Sequence, residues 1–259
     1  MEITNAPSHE RGPARRTVAA AAAALLATAA ATALPGPPAH AAADSGKPAT
    51  WNVQGSASRW AAVGKLSAGR HVLALQEVSA TPPAGVEREQ KLGPNISGWK
   101  WKVGTGTRHY TRYLYVLRHS SKNLGIVTDW APGATGVVEV PGPYRPLLCV
   151  KDVANSTLFC SVHASANGGG DAVKLVNTAA AYASQNKLKS WAVLGDFNRS
   201  PAKLRQDPKF PAGAKVYAPN QATQRSGGTL DYLVSDVTST KWKAKVLVSK
   251  DSDHWPVQW

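Results

Sequence analysis

Short apolar runs, most of them ending in or directly followed by a polar residue, recur along the chain at 49–53, 72–76, 113–118, 124–128, 147–150, 157–163, 191–194, 230–235 and 245–248. Runs of this length, rich in Val, Leu, Trp and Tyr, predict β-strands. Two stretches carry the helical period instead. Trp60, Val63 and Leu66 share one helix face, and Val173, Val176, Ala180 and Ala183 another, with Asp171 placed to cap the second helix. Many strands with few helices predict sheets packed face to face and covered by helices. No internal repeat or second linker divides the chain, so a single domain is expected.

The N-terminal segment stands apart from this pattern. Arg11, Arg15 and Arg16 precede an Ala-rich run over 17–34, Pro35, Pro37 and Pro38 close it, and small residues at 39–43 offer a cleavage site. That order is the layout of an export signal, and Arg15-Arg16 also permits twin-arginine export of a folded protein. The run is mostly alanine, too weakly hydrophobic to favour a membrane anchor. The expected organisation is therefore a signal peptide at 1–43 and a secreted domain at 44–259, with no stable membrane insertion after processing.

Charge adds a partner class. There are 30 Lys+Arg against 16 Asp+Glu, a formal net charge of +14. Loss of 43 of the 259 residues takes away three Arg and two Glu, leaving 216 residues at +13, so the basicity belongs to the folded part. A polyanion is implied, either nucleic acid or anionic lipid. A hydrophobic content of 43% excludes a wholly disordered basic protein, and the dispersed 22 Gly and 18 Pro exclude a collagen-like repeat. Two cysteines exclude a disulfide-dense scaffold or a Cys-rich metal module. Cys149 and Cys160 lie on two runs whose midpoint is Ala154-Asn155, so a hairpin would oppose them, as a disulfide or as two buried thiols.

The chemistry gathers where apolar runs end. Asn52 closes the first, Glu77 follows the second, His163 ends the sixth, and Asp196-Phe197-Asn198 follows the seventh. Asp231 opens another run, and Asp253-His254 lies near the C-terminus. Strands that end repeatedly in such residues predict one shared polar rim. Carboxylate and amide oxygens suit a hard divalent cation. His254, with Asp231 to orient its ring, fits a general base, and His163 is a second candidate for proton transfer. His71, His109 and His119 lack comparable surroundings and read as surface or satisfied core residues.

Taken together and in order, Trp51-Asn52-Val53-Gln54-Gly55, Gln76-Glu77, Gly195-Asp196-Phe197-Asn198, Leu230-Asp231-Tyr232 and Ser252-Asp253-His254 resemble the endonuclease/exonuclease/phosphatase superfamily. Within it the chain is most similar to the catalytic B subunits of the cytolethal distending toxins. The segments 113–118, 145–148, 163–171 and 222–232 carry that closer likeness, which runs through essentially the whole of 44–259.

The resemblance implies a four-layer α/β/β/α sandwich of two packed mixed sheets flanked by helices, and a Mg2+-dependent phosphodiesterase, with Mn2+ or Ca2+ as other usable ions. It implies Glu77, with Asn52 and Asp253, at the metal, and Asp196 and Asn198 completing the shell of metal and water. His254, held by Asp231, is then the base, and His163 an acid or a phosphate ligand. Arg118 and Arg145 match phosphate-contacting arginines. Asn167, in the loop Asn167-Gly168-Gly169-Gly170-Asp171, joins them because glycines allow close approach of backbone to phosphate and the following helix offers its N-terminus. One position departs from the pattern. Pancreatic-type deoxyribonucleases carry a glutamate that orients the histidine matching His163; Thr111 stands there, and the toxin branch lacks that glutamate too, which weakens His163 as a proton donor.

The expected function is a secreted Mg2+-dependent deoxyribonuclease acting on DNA with limited sequence preference. A phosphoinositide phosphatase of the same superfamily is the enzyme alternative, and a catalytically silent DNA-binding module the other. The complete set of Glu77, Asp196, Asn198, Asp231, Asp253 and His254 speaks against silence. Within 44–259 no segment is left over for delivery, so entry into a host cell would need partner subunits in trans.

Overall fold

The computed structural model describes residues 47–105, 107–120 and 122–259. The expected signal peptide at 1–43, with its arginine pair, lies outside these residues. In chain order the elements are β1 (Ala49–Asn52), α1 (Trp60–Ser67), β2 (Val72–Gln76), β3 (Gln90–Lys91), β4 (Ile96–Thr105), β5 (Arg108–Leu117), β6 (Leu124–Thr128), β7 (Val137–Val140), β8 (Leu147–Asp152), β9 (Thr157–His163), α2 (Ala172–Gln185), β10 (Ser190–Asp196), α3 (Pro201–Arg205), β11 (Lys215–Tyr217), β12 (Asp231–Ser235), β13 (Lys245–Val246) and β14 (Val257–Gln258). They form an eight-stranded sheet ordered β13-β14-β1-β2-β6-β5-β4-β3 and a six-stranded sheet ordered β11-β12-β10-β9-β8-β7.

Successive side chains of a strand point to opposite faces, and this alternation builds the layers. In β2, Val72 and Ala74 join Phe159, Ala192, Leu194 and Leu233 of the other sheet in the central core. Leu73 and Leu75 turn outward to Trp60 and Val63 of α1. On the six-stranded sheet, Leu158, Cys160 and Val193 turn outward to Val173, Val176 and Ala179 of α2. Central strands covered on both faces read as continuous apolar runs. The result is the expected α/β sandwich of two mixed sheets, with a thin helical covering.

Strand β4 was not anticipated, because beyond Trp99 only one of its faces is covered. Trp99, Trp101 and Val103 pack toward α1 while Lys100 and Lys102 stay exposed. Cys149 and Cys160 are opposed across β8 and β9 and form a disulfide facing the α2 core. The expected cap of α2 is a correction: Asp171 occupies the position, but its side chain makes no cap bond and instead accepts from the Ser165 N–H at 2.8 Å. The carboxylate thereby ties the preceding loop, not the first helical turn.

His71, expected to be a surface or satisfied core residue, is a satisfied one, and its partners come from both sheets. Its Nδ1 lies 2.9 Å from Asp129 and its Nε2 2.8 Å from Asp152, and its ring stacks on Trp130 at 4.1 Å. β2 and β6 belong to one sheet and β8 to the other, so the imidazole clasps the two sheets at the ends of their strands away from the polar rim. Two carboxylate partners require a proton on both ring nitrogens. Burial opposes the charged ring, but the bonds and charges of Asp152 and Asp129 outweigh it and raise the His71 pKa; Asp152 is lowered in turn, its bonds to His71 and Asn155 overcoming burial. The His71 contribution is therefore present below the unfolded pKa and lost as pH rises through the folded one. Denaturant titrations at several pH values are expected to show wild type losing its stability advantage over His71→Gln on that alkaline side. The difference between the two curves isolates the clasp, since His254 titrates in the same direction. A difference that does not shrink with rising pH would refute the charged clasp.

Candidate functional site

Register places the polar residues together. β1 and β2 are parallel with Asn52 beside Gln76, and β9 and β10 are parallel with His163 beside Asp196. β12 runs the other way, so its first residue, Asp231, also lies beside Asp196. Strand ends of both sheets thus meet at one edge of the sandwich. Beneath them Gln76 spans the layers, its Nε2 donating to Ser161 Oγ at 3.1 Å and to Thr50 Oγ1 at 3.2 Å. Strain collects here as well. Among the described residues, Gln54, Glu77 and Asn198 at this edge hold positive φ without being glycine.

Asp196 is the meeting point. Its Oδ2 accepts from Asn52 Nδ2 at 3.1 Å and lies 3.6 Å from His163 Nε2 and 3.7 Å from His254 Nε2. Its Oδ1 accepts from the Asn198 N–H at 2.9 Å. Asn52 Nδ2 also faces Glu77 Oε1 at 3.4 Å, while Asn52 Oδ1 accepts from the Gln54 N–H at 3.1 Å. In this orientation Asn52 steers two carboxylates across the sheet gap. Burial and the neighbouring Asp231 charge raise the Asp196 pKa. Glu77 is lowered: burial is outweighed by the Lys122 hydrogen bond and by the charges of His163 and Lys122.

The two histidines are driven apart. His254 Nδ1 is 2.8 Å from Asp231 Oδ2, and although burial disfavours its charge, the bond and charge of Asp231 push it up to about 9. His163 has no such partner. Its Nδ1 is buried without a hydrogen bond, and burial with help from the Arg145 charge brings its pKa down to about 4, against the pull of Asp196 and Glu77. At neutral pH His254 is the charged ring and His163 the neutral one. With carboxylates of Glu77 and Asp196 facing Nε2, that nitrogen of His163 is the favoured place for its single proton. Thr111, opposite Lys102 far from the Leu117 end of β5, lies away from this edge.

Other expected residues fall into two groups. Asn198 Nδ2 donates to the Ala164 carbonyl at 3.0 Å, and Arg145 Nη1 reaches the His163 and Ala164 carbonyls at 3.5 and 3.3 Å, so both border the cluster. Asp253 has its N–H on Gln54 Oε1 at 3.2 Å and its charge acts on Asp231 and His254, but no hydrogen bond joins it to Glu77 or Asp196. Its Oδ1 is buried and unpartnered. Arg118 is not brought into the cluster; it pairs with Glu89 at 3.6 Å. Asn167 is exposed on its loop, where the Gly168 and Gly169 N–H groups are spent on Ala166 and Ser165 carbonyls.

Two contributors escaped the sequence reading. Thr223 Oγ1 donates to Asp231 Oδ2 at 2.7 Å and accepts the N–H groups of Leu230 and Asp231, locking the carboxylate that faces His254. Lys122 Nζ sits 2.5 Å from Glu77 Oε2. Thr223 lies in the 222–232 segment that carries the toxin-branch likeness, but nothing local ties it to Asp231, and a lone loop lysine has no sequence signature. Asp196, Asp231 and His254 also stand close enough to hold a metal ion, each offering an atom within 4.8 Å of the others. A protonated His254 has no lone pair for a metal, so the Glu77 and Asp196 side of the cluster suits a hard cation better.

A profile of the Endonuclease/Exonuclease/phosphatase family matches residues 49–254. A Salmonella typhi homolog of the cytolethal distending toxin B subunit is 31% identical over 237 residues, covering 80% of this chain and 86% of that protein. The B subunit of the Escherichia coli cytolethal distending toxin is 30% identical over 210 residues, covering 72% and 77%. Among solved structures, the Haemophilus ducreyi cytolethal distending toxin matches with a TM-score of 0.69 at 29% identity, over 82% of this chain and 96% of that one. The toxin from Actinobacillus actinomycetemcomitans matches with a TM-score of 0.68 at 30% identity, over 82% and 97%.

Proposed function

The chain belongs to the Endonuclease/Exonuclease/phosphatase family, as a hydrolytic enzyme similar to the cytolethal distending toxin B subunits, and we propose that it is a secreted, divalent-metal-dependent deoxyribonuclease. The observation that carries this reading is the convergence on Asp196 of an amide-steered carboxylate pair and two histidines with opposed pKa values.

Glu77 and Asp196 supply the hard oxygen donors that Mg2+ favours, which is the fit expected of a cation site. When bound, the cation supplies positive charge to a phosphate oxygen and to the departing oxygen. The chain's own residues do the rest. Arg145 and neutral His163, donating from Nε2, contact the scissile phosphate. His254 in its neutral form takes the proton of the attacking water at Nε2, and Asp231, fixed by Thr223, stabilises the imidazolium that results. The net charge of +13 left on 44–259 attracts the polyanionic backbone.

The Cys149–Cys160 disulfide supports an oxidising compartment and so secretion. Among the described residues no helix is long and apolar enough to cross a membrane. The relatives are named as toxin subunits, which supports partner subunits in trans as the route of any delivery. A pull-down from culture supernatant tests that part.

Supercoiled plasmid incubated with Mg2+ is expected to become nicked, and chelator to leave it intact. Phosphate release from a phosphoinositide is measured beside it. Intact plasmid with released lipid phosphate would transfer the reading to a phosphatase; DNA retained but uncut with Mg2+ present would leave a binding module.

A further inference from the structure

The Glu77 carboxylate, on which the metal reading above depends, already has a cation. Lys122 Nζ is 2.5 Å from Oε2, while Oε1 faces Asn52 Nδ2 at 3.4 Å and His163 Nε2 at 3.7 Å. The backbone beneath the lysine is fixed. Its N–H donates to the His119 carbonyl at 3.0 Å, and buried Asn123 ties the turn through the His119 N–H at 3.2 Å and the Val78 carbonyl at 3.1 Å. The side chain above that anchor is 38% exposed, against 17% for Glu77. A strongly hydrated ammonium on a flexible stem can therefore leave the carboxylate for water at low cost.

Charge explains why it sits there. Glu77, Asp196 and Asp231 crowd one edge, and Asn52, the other close partner of Glu77, is uncharged. A partly buried carboxylate without a counter-charge is costly, and Lys122 supplies it. A divalent cation that takes Glu77 as ligand meets that ammonium within contact distance, and like charges so close repel strongly. We propose that Lys122 is the resident counter-cation of Glu77, displaced when a divalent metal ion binds, so that this lysine sets the metal concentration at which the site fills. The inference rests on the metal reading of Glu77.

Calorimetric titration of Mn2+ into wild type, Lys122→Met, Lys122→Arg and Glu77→Gln tests it, with thermal unfolding of each metal-free variant as the check on folding. Losing the competitor is expected to tighten Mn2+ binding in Lys122→Met about threefold to fivefold, the upper worth of a part-exposed ion pair. Lys122→Arg keeps the competing charge and is expected to stay within about twofold of wild type on the same scale. Glu77→Gln loses most of its affinity. Unchanged or weaker binding in Lys122→Met, while wild type binds and Glu77→Gln does not, overturns the lysine inference alone. Equal binding in wild type and Glu77→Gln overturns the metal reading of Glu77, and the inference with it.

Discussion

His254→Ala is expected to slow Mg2+-dependent plasmid nicking by about a hundredfold to ten-thousandfold, the usual worth of a general base. His163→Ala is expected to cost less, about tenfold to a hundredfold, the worth of one hydrogen bond to a charged group. The asymmetry follows from partners. Asp231 Oδ2 holds His254 Nδ1 at 2.8 Å and is itself held by Thr223 at 2.7 Å, whereas His163 Nδ1 has no partner. An oriented ring with a carboxylate behind it can take a proton and be stabilised; a neutral ring whose pKa is about 4 offers the cluster only its Nε2–H, its accepting Nδ1 being buried away from it. The reverse order of effects would sink the assignment. pH adds an independent readout. His254 titrates near 9 in the metal-free protein, so its basic form grows as pH rises, and nicking is expected to climb on that side, over a range lowered by bound cation. Asp231→Asn removes the charge that raises the ring, moving the climb to lower pH while lowering the rate. His254→Ala should abolish the climb.

Much of this site is legible in the residues because strand ends are periodic events. An apolar run closed by Asn52, Gln76-Glu77, His163 or Asp196 announces both a buried strand and a functional group at its end, and parallel register does the rest. Legibility fails where a contact depends on loop geometry or on one-sided burial. β4 alternates between tryptophan and lysine because one face is open, so it lacks the continuous apolar signal of β2. Asp171 has the residue type of a helix cap, yet the Ser165 N–H competes for its carboxylate and wins. Arg118 matches a pattern in sequence, but its exposed side chain finds Glu89 on the β3 side. His71 looks ordinary because its two carboxylates come from positions 129 and 152, which no local spacing connects to it.

Gly195→Ala is expected to be the most damaging single methyl addition near the site, lowering stability by about 3 kcal/mol or more, from backbone strain and overpacking combined. Gly195 holds φ +150, and a Cβ built there would lie 2.1 Å from the Val162 carbonyl oxygen and 2.8 Å from Gln76 Nε2. The first neighbour is backbone of the adjoining parallel strand, which cannot yield without opening β9 from β10. The second is the buried amide that links the two sheets under the cluster. Relief in either direction moves Asp196, the next residue, relative to His163, its register partner. A fall in Tm of about 6–12 °C in thermal unfolding is the expected reading for a domain of this size. Because the displaced atoms carry the Asn52, His163 and His254 contacts, nicking at a temperature where the variant is still folded is expected to fall as well. A stable variant with wild-type nicking would show that the strand pair tolerates the methyl group, and that the closeness of β9 to β10 does not set the geometry at Asp196.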